Sequence, residues 1–436
     1  MVTRILHAQL ERAHPIVFAA FAGSAAFLTY FAMYAFRKPF TAGVYDGLTV
    51  LGFDYKIIAI TAQVAGYTIS KFAGIRVVSE MNPPQRIGAI LLLMGVAWAA
   101  LLGFGLVPAP WNLAFLVLNG LPLGMIWGIV FSFLEGRRFT EMLGAIMAAS
   151  FIVASGAVKA VGLSLVQMLG MSEFWMPFAT GAIFVPMLLL GVSMLRALPM
   201  PTAGDEAART RRVPMDSVAR RSFFLMFAGG IVLTVTIYIA LTIFRDIRDN
   251  FAVELWAALG YADQPAVLAL AEIPIAVTVL ILIGAMSYVR NNRTAFYMNY
   301  GIIAVAGVSL VVLTMLFAAG NLAPAVWMIA TGFSMYLAYI AYHTFLFERW
   351  IALFRVPSNI GFLMYVADAF GYLGSVSVMF MKDFLSVDVG WLSFFTWLAY
   401  ICGGLMIFLG LAAVQYFRHR ERAMALVVLQ AEPVVV

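Results

Sequence analysis

Apolar residues run along this chain in long unbroken stretches separated by short polar joints. A helix needs about 20 apolar residues to cross roughly 30 Å of hydrocarbon. Twelve stretches reach that length: 16–36, 57–77, 87–107, 113–134, 142–166, 174–195, 223–244, 265–289, 295–318, 324–347, 359–381 and 391–417. The short alternating segments of a membrane barrel are missing from the pattern, so the spacing predicts an all-α polytopic membrane protein with twelve helices and no strands. The longest polar joint, 197–222, is rich in arginine and divides the chain into an N-terminal part (1–196) and a C-terminal part (223–436). Six helices on either side of a polar linker predict two pseudo-symmetric six-helix bundles.

Composition agrees with a lipid-facing surface. The chain is 64% hydrophobic and 11% charged, against about 25% charged residues in soluble proteins. Placing both termini and the loops after even-numbered helices in the cytoplasm puts 19 of the 27 lysines and arginines there, among them Arg76, Arg86, Arg137, Arg138, Arg209, Arg211, Arg212, Arg290, Arg355 and Arg418. The positive-inside rule therefore predicts an integral protein of the plasma (inner) membrane with both ends cytoplasmic. The net charge of +6 then reflects orientation and anionic lipid, and no nucleic-acid partner is expected. One cysteine (Cys402) and four scattered histidines argue against a disulfide, a thiolate metal site or a clustered metal site. With no Gly-rich phosphate loop and no Ser/His/Asp grouping, neither an enzyme nor a bound cofactor is expected. Nothing in the sequence calls for an obligate oligomer, so the expected state is a monomer in the bilayer.

The first helix ends Tyr30-Phe-Ala-Met-Tyr34-Ala-Phe-Arg37, and the seventh ends Tyr238-Ile-Ala-Leu-Thr242-Ile-Phe-Arg245. Both read Y-x-A-x-x-x-F-R, which points to a duplication. Helical spacing puts Tyr30, Tyr34 and Arg37 on one face, and Tyr238, Thr242 and Arg245 on another. The bland reading ends each span at the outer interface. That reading places Arg37, Lys38 and Arg245 on the side that the rule depletes of cations, which favours a cavity-facing pair. The first helix also stays apolar enough past Arg37 to continue, with a kink near Pro39.

Lys71 and Lys159 fall inside apolar stretches, where a central cation costs roughly 3 kcal/mol on insertion scales. An anionic solute accounts for both; snorkelling accounts equally for Lys71, and a structural ion pair for Lys159. Stranded acids raise the same choice. Glu272 and Asp368 read either as proton carriers or as permanent partners of Lys159 or an arginine. His343 reads either as a coupling residue or as a polar side chain satisfied near the interface.

These residues resemble a major facilitator superfamily transporter, and within it the organophosphate:phosphate antiporters. Tyr34-Ala-Phe-Arg37-Lys38-Pro-Phe40 resembles that family's aromatic Arg-Lys-x-Phe element. Tyr67-Thr-Ile-Ser70-Lys71-Phe72, followed by Ser79-Glu80-Met-Asn82-Pro83 and Arg86, resembles its Y-x-x-S-K-F…S-D-x-x-N-P-R run, with Glu80 where Asp is usual. Phe370-Gly371-Tyr372-Leu373-Gly374 resembles its F-G-Y-L-G element. The resemblance implies that Arg37 and Arg245 hold a substrate phosphate, with Lys71 nearby. It departs at the fifth helix, where Lys159 stands in place of a histidine, and at the seventh, which continues Arg-Asp-Ile-Arg.

The expected function is secondary transport of a small organic anion, most simply a phosphorylated metabolite or phosphate exchanged by alternating access. Its expected binding residues are Tyr30, Tyr34, Arg37, Lys38, Lys71, Lys159, Tyr238 and Arg245, with Glu272, His343 and Asp368 for coupling or pairing. The alternatives are a proton-coupled transporter of a zwitterion, sugar or drug, using Asp368, and a transporter-like membrane sensor.

Overall fold

The computed structural model of the chain describes residues 2–79, 81–135, 137, 140–200, 217–286, 288–354, 360–384 and 390–431. Glu80, Arg138, Arg209, Arg211, Arg212, Arg355 and positions 201–216 of the expected linker lie outside these described residues. After a short leading helix (Val2–Glu11) come twelve long ones. They are α1 (Pro15–Ala35), α2 (Tyr55–Ser79), α3 (Gln85–Leu106), α4 (Leu113–Phe131), α5 (Thr140–Leu169), α6 (Met176–Arg196), α7 (Ser217–Asn250), α8 (Val267–Met286), α9 (Asn292–Ala318), α10 (Pro324–Phe354), α11 (Ile360–Phe384) and α12 (Trp391–Ala431). Ten of them are long and apolar enough to cross a membrane, and α2 and α11 match them in length at 25 residues each. The chain is an all-α integral membrane protein with the expected helices in the expected order.

The expectation of no strands needs one correction. A hairpin of two-residue strands, β1 (Thr49–Val50) and β2 (Phe53–Asp54), joins α1 to α2. Its turn residues Leu51 and Gly52 both have positive φ, at 54° and 83°, which is the mirror-image geometry that suits the twist of a tight hairpin. A search for long apolar runs cannot register so short an element. It marks one end of the helices, called the hairpin end below.

By packing, the chain forms two compact units. Unit one holds Met1–Thr210, Asp246–Gly284 and Val376–Phe394; unit two holds Arg211–Arg245, Ala285–Ser375 and Phe395–Val436.

In unit one, α2 and α4 touch backbone to backbone. Gly120, Gly124 and Gly128 recur every four residues on α4, so they share a face. A Cβ added at Gly120 would stand 2.2 Å from the Gln63 carbonyl oxygen, and one at Gly66 on α2 would stand 2.1 Å from the Val117 carbonyl oxygen. Lipid gives two helices no hydrophobic reason to associate, so close approach and dispersion must hold the pair. Gly120→Ala is therefore expected to push the helices apart and to cost about 3 kcal/mol, the upper range for overpacking. Thermal unfolding in detergent checks this, and an unchanged unfolding temperature would show the contact to be dispensable.

In unit two, α7 bends at Phe227, whose φ/ψ of −121°/19° leave the helical region. The Met226 carbonyl beside the bend accepts a 2.6 Å hydrogen bond from Arg420, which meets the acceptor that a broken helix would leave unsatisfied. Around the bend Phe227, Phe296, Trp350 and Phe417 pack edge to face. Farther along α7, the glycines of the Phe370–Gly374 motif seat α11. A Cβ at Gly371 would meet Tyr238 and Thr242 at 2.9 Å, and one at Gly374 would meet Ile239 at 2.7 Å.

Candidate functional site

The first cluster lies in unit one where α1 ends. Helix ends expose carbonyls with no partner in their own helix, and here buried amides supply them. Asn119 Nδ2 donates to the Phe36 carbonyl (2.9 Å) and to that of Ala97 (2.8 Å). Gln63 Nε2 donates to the Arg37 carbonyl and to Asn119 Oδ1, both at 2.7 Å. The expected continuation of the helix past Arg37 is corrected. Helix α1 stops at Ala35, and a single 3₁₀ turn (Pro39–Ala42) follows. Pro39 has no N–H to extend the ladder, and the amides of Gln63 and Asn119 stabilise the stop.

The segment beyond is pinned by Glu173, whose carboxylate accepts from the backbone N–H groups of Val44 (2.7 Å) and Tyr45 (2.8 Å). Burial pushes the Tyr45 phenol well above its usual pKa, with Tyr55 and Glu173 adding to the effect. It therefore stays protonated and donates to the Phe40 carbonyl at 2.9 Å.

The Arg37 guanidinium lies 3.9 Å from the centroid of the Tyr67 ring and 5.9 Å from that of Tyr34. The Lys71 ammonium, one helical turn beyond Tyr67, is 5.4 Å from the same Tyr67 ring. Tyr30 continues the aromatic face, edge-on to Tyr34 at 5.7 Å and to Trp127 at 4.9 Å. Arg37, Lys71, Tyr34 and Tyr30 are thus neighbours, joined by Tyr67, a residue that the sequence analysis used only as part of a motif.

Four other cations of unit one, Lys38, Lys56, Lys159 and Arg248, meet carboxylates. Helix α7 runs on to Asn250, six residues past its expected end at 244, and so carries Asp249 into unit one. Lys38 Nζ is 2.6 Å from Asp249 Oδ2 and donates to Asn250 Oδ1 at 2.7 Å. Lys159 Nζ is 2.6 Å from Asp249 Oδ1 and donates to the Asp249 carbonyl at 2.5 Å. Ser155 also donates to Asp249 Oδ1. Arg248 pairs with Glu272 at 2.7 Å, and Lys56 pairs with Glu254. Gly156 makes this assembly possible, because a Cβ there would stand 1.9 Å from the Leu268 carbonyl oxygen and only glycine lets α5 approach so near. For Lys159 and Glu272 the ion-pair reading that the sequence left open is the one seen. Lys38 and Lys159 owe their place in the bilayer to Asp249, whatever else they bind.

The second cluster is in unit two and centres on Tyr238. Its hydroxyl lies 2.9 Å from the Tyr339 hydroxyl, 2.8 Å from His343 Nε2 and 2.5 Å from Asp368 Oδ1. The Tyr238 and Tyr339 rings stack at 5.5 Å. Arg245 donates to the Tyr339 hydroxyl, and its guanidinium carbon sits 4.5 Å over that ring. His343 belongs to a single π-helical turn in α10, Tyr342–Leu346. Such turns insert one residue and re-aim its neighbours.

Tyr238, Arg245, His343 and Asp368, which the sequence reading singled out separately, are brought together here, with Tyr339 between Arg245 and Tyr238. Three residues that carry these clusters have no role in the sequence reading: Tyr67, whose ring lies near two cations, Asp249 and Tyr339. For Asp249 the signal was present, since it lies one turn from Arg245 in a charged run that an apolar-stretch search treats as the end of a span.

The fold is shared with solved structures of membrane transporters. The structure of the nucleoside transporter NupG aligns with a TM-score of 0.59 at 15% identity, over 92% of this chain and 98% of that one. The structure of a D-xylose-proton symporter aligns with a TM-score of 0.60 at 15% identity, over 92% and 97%. A comparison with curated proteins gives no match. At such identities the likeness establishes the architecture alone. One family model matches, over residues 39–420, and its description is a family of unknown function, DUF5690; the chain belongs to that family.

Proposed function

We propose that this protein is a secondary transporter that carries a small organic anion across the plasma membrane by alternating access, with both termini cytoplasmic and a phosphorylated metabolite as the simplest passenger. The observation that supports this most directly is the meeting of Arg37 and Lys71 on the ring of Tyr67, at 3.9 and 5.4 Å. A guanidinium packed over an aromatic ring is restrained in orientation, which suits bidentate contact of its N–H fork with phosphate or carboxylate. An ammonium nearby adds a second charge without fixing geometry. Both residues fall in segments that resemble the organophosphate:phosphate antiporters. Arg245 repeats the arrangement in unit two on Tyr339.

The ion pairs of unit one narrow the field of candidate binding residues. Asp249 engages the ammoniums of Lys38 and Lys159; recognition of the anion is assigned to Arg37, Lys71 and Arg245 for their aromatic settings, with Tyr30, Tyr34 and Tyr238 lining the approach. At the hairpin end Arg248–Glu272 ties α7 to α8, and the pairs Lys38–Asp249, Lys159–Asp249 and Lys56–Glu254 bind α7 and the segment after it to the turn after α1, to α5 and to α2. Opening that end requires these pairs to part.

Uptake into proteoliposomes is the test, with labelled inorganic phosphate, a sugar phosphate, D-xylose and uridine offered in turn. The expected result is uptake of the phosphorylated solutes, with unlabelled phosphate competing. Uptake of D-xylose or uridine alone, unaffected by phosphate, would overturn the anion reading and leave a transporter of neutral solutes.

A further inference from the structure

We infer that Tyr238, His343 and Asp368 form a proton-binding relay whose state is passed to Arg245 through Tyr339. The inference rests on the transporter reading and holds for either charge class of solute. Its basis is a count of protons. The Tyr238 phenol has one hydrogen and three polar neighbours: Asp368 Oδ1 at 2.5 Å, His343 Nε2 at 2.8 Å and Tyr339 Oη at 2.9 Å.

With Asp368 ionised, the carboxylate can only accept, so Tyr238 gives it that hydrogen. Tyr238 then accepts from its other two neighbours, which makes His343 an Nε2–H tautomer and turns the Tyr339 hydroxyl toward Tyr238. Tyr339 in turn accepts from Arg245. Every donor in the chain Arg245, Tyr339, Tyr238 points toward the carboxylate.

A proton from water that binds Asp368 Oδ1 reverses this order. The new O–H bond donates to the Tyr238 oxygen, and no bond other than hydrogen bonds is broken. The Tyr238 hydrogen must then turn elsewhere. It goes either to His343, which has to present a bare Nε2 by moving its proton to Nδ1, or to Tyr339, which then takes a second donor beside Arg245. Proton occupancy and the hold on Arg245 are thereby linked. Among the described residues, the groups that face the site include Tyr238 and Arg245 from α7, Tyr339, Tyr342 and His343 from α10, and Tyr372, one turn from Asp368 on α11. Tyr300 of α9 lies one step farther out, bonded to Thr234 at 2.7 Å, and the Thr234 carbonyl accepts from Tyr342. Gly371 holds α11 against Tyr238 and so fixes the spacing.

The test needs no solute. Infrared spectra of the purified protein in detergent, taken from about pH 9 to about pH 4, are compared for the wild type, Asp368→Asn and Tyr238→Phe. Spectra of nitrogen-15 histidine-labelled protein are recorded in parallel, with His343 assigned by His343→Gln. The expected result is a protonated-carboxyl band that grows as pH falls and is missing from Asp368→Asn. In Tyr238→Phe the band persists to roughly tenfold lower proton concentration, because the ionised form has lost a donor. The His343 resonances are expected to change tautomer over the same interval. If the wild-type and Asp368→Asn bands are identical, or if Tyr238→Phe leaves the transition in place and His343 keeps one tautomer throughout, the relay is overturned. Should Asp368→Asn not fold, the Tyr238→Phe and histidine readings decide alone. The proteoliposome panel tests transport separately.

Discussion

Replacing Asp249 with alanine is expected to cost about 3–5 kcal/mol of stability, the range for removing one partner of a buried ion pair. The figure belongs at the upper end because one carboxylate serves two ammoniums. Lys38 and Lys159 are 8% and 2% exposed, so neither can turn to water when Asp249 is gone, and each keeps a desolvated charge. The cost lies in the cations left behind, and this gives a diagnostic rescue. Asp249→Ala combined with Lys159→Met removes one orphaned charge and fills its volume with an apolar chain, and it should recover a substantial part of the loss. Asp249→Asn should fall between, since its amide oxygen still accepts from Ser155 and one lysine while its charge is absent. Thermal unfolding in detergent measures all three. An Asp249→Ala protein that unfolds at the wild-type temperature, or a double variant less stable than the single, would show that the pairing carries no weight.

The same residue marks where the sequence stopped being legible. The twelve helices follow from apolar run length alone, because a lipid solvent leaves no other way to satisfy so much backbone. What run length cannot see is a helix that stays helical after its residues turn polar. Helix α7 continues through Arg245, Asp246, Arg248 and Asp249 because charges on other elements meet it. Lys159 is 90 positions away from Asp249 in the chain, and no local pattern announces that pairing. Lys159 was visible as an anomaly; its partner was not, so the sequence alone left an anionic passenger and a structural ion pair as equal readings of that charge. Tyr238, Arg245, His343 and Asp368 were legible one by one, as polar residues in apolar runs, but no local pattern announced that they meet in one cluster. Tyr339 was not legible, since a tyrosine in an aromatic-rich helix is unremarkable until an arginine lies on it. The glycine ladder of α4 was readable from its four-residue spacing, and it bears on the site by holding Asn119 and Gln63 at the end of α1.

Arg37→Ala is expected to lower anion uptake by about a hundredfold, the equivalent of roughly 3 kcal/mol at 1.4 kcal/mol per decade, as befits loss of a charge-assisted, two-point contact. Arg37→Lys separates charge from geometry. It retains the positive charge but loses the planar fork and most of the stacking on Tyr67, so an intermediate loss of about tenfold is expected. Tyr67→Leu should reproduce that intermediate loss with the guanidinium intact, because the ring restrains Arg37 and also lies near Lys71; a cation over an aromatic ring is worth about 1–2 kcal/mol when desolvated. Arg245→Ala, acting on the repeat in unit two, should match Arg37→Ala if the duplicated ends do equivalent work. Initial uptake rates in proteoliposomes, corrected for the amount of folded protein recovered, give the comparison. Wild-type rates in both arginine variants would remove the anion site. A loss confined to Arg245→Ala would move recognition to the tyrosine cluster around Tyr238 and leave Arg37 as packing for the end of α1.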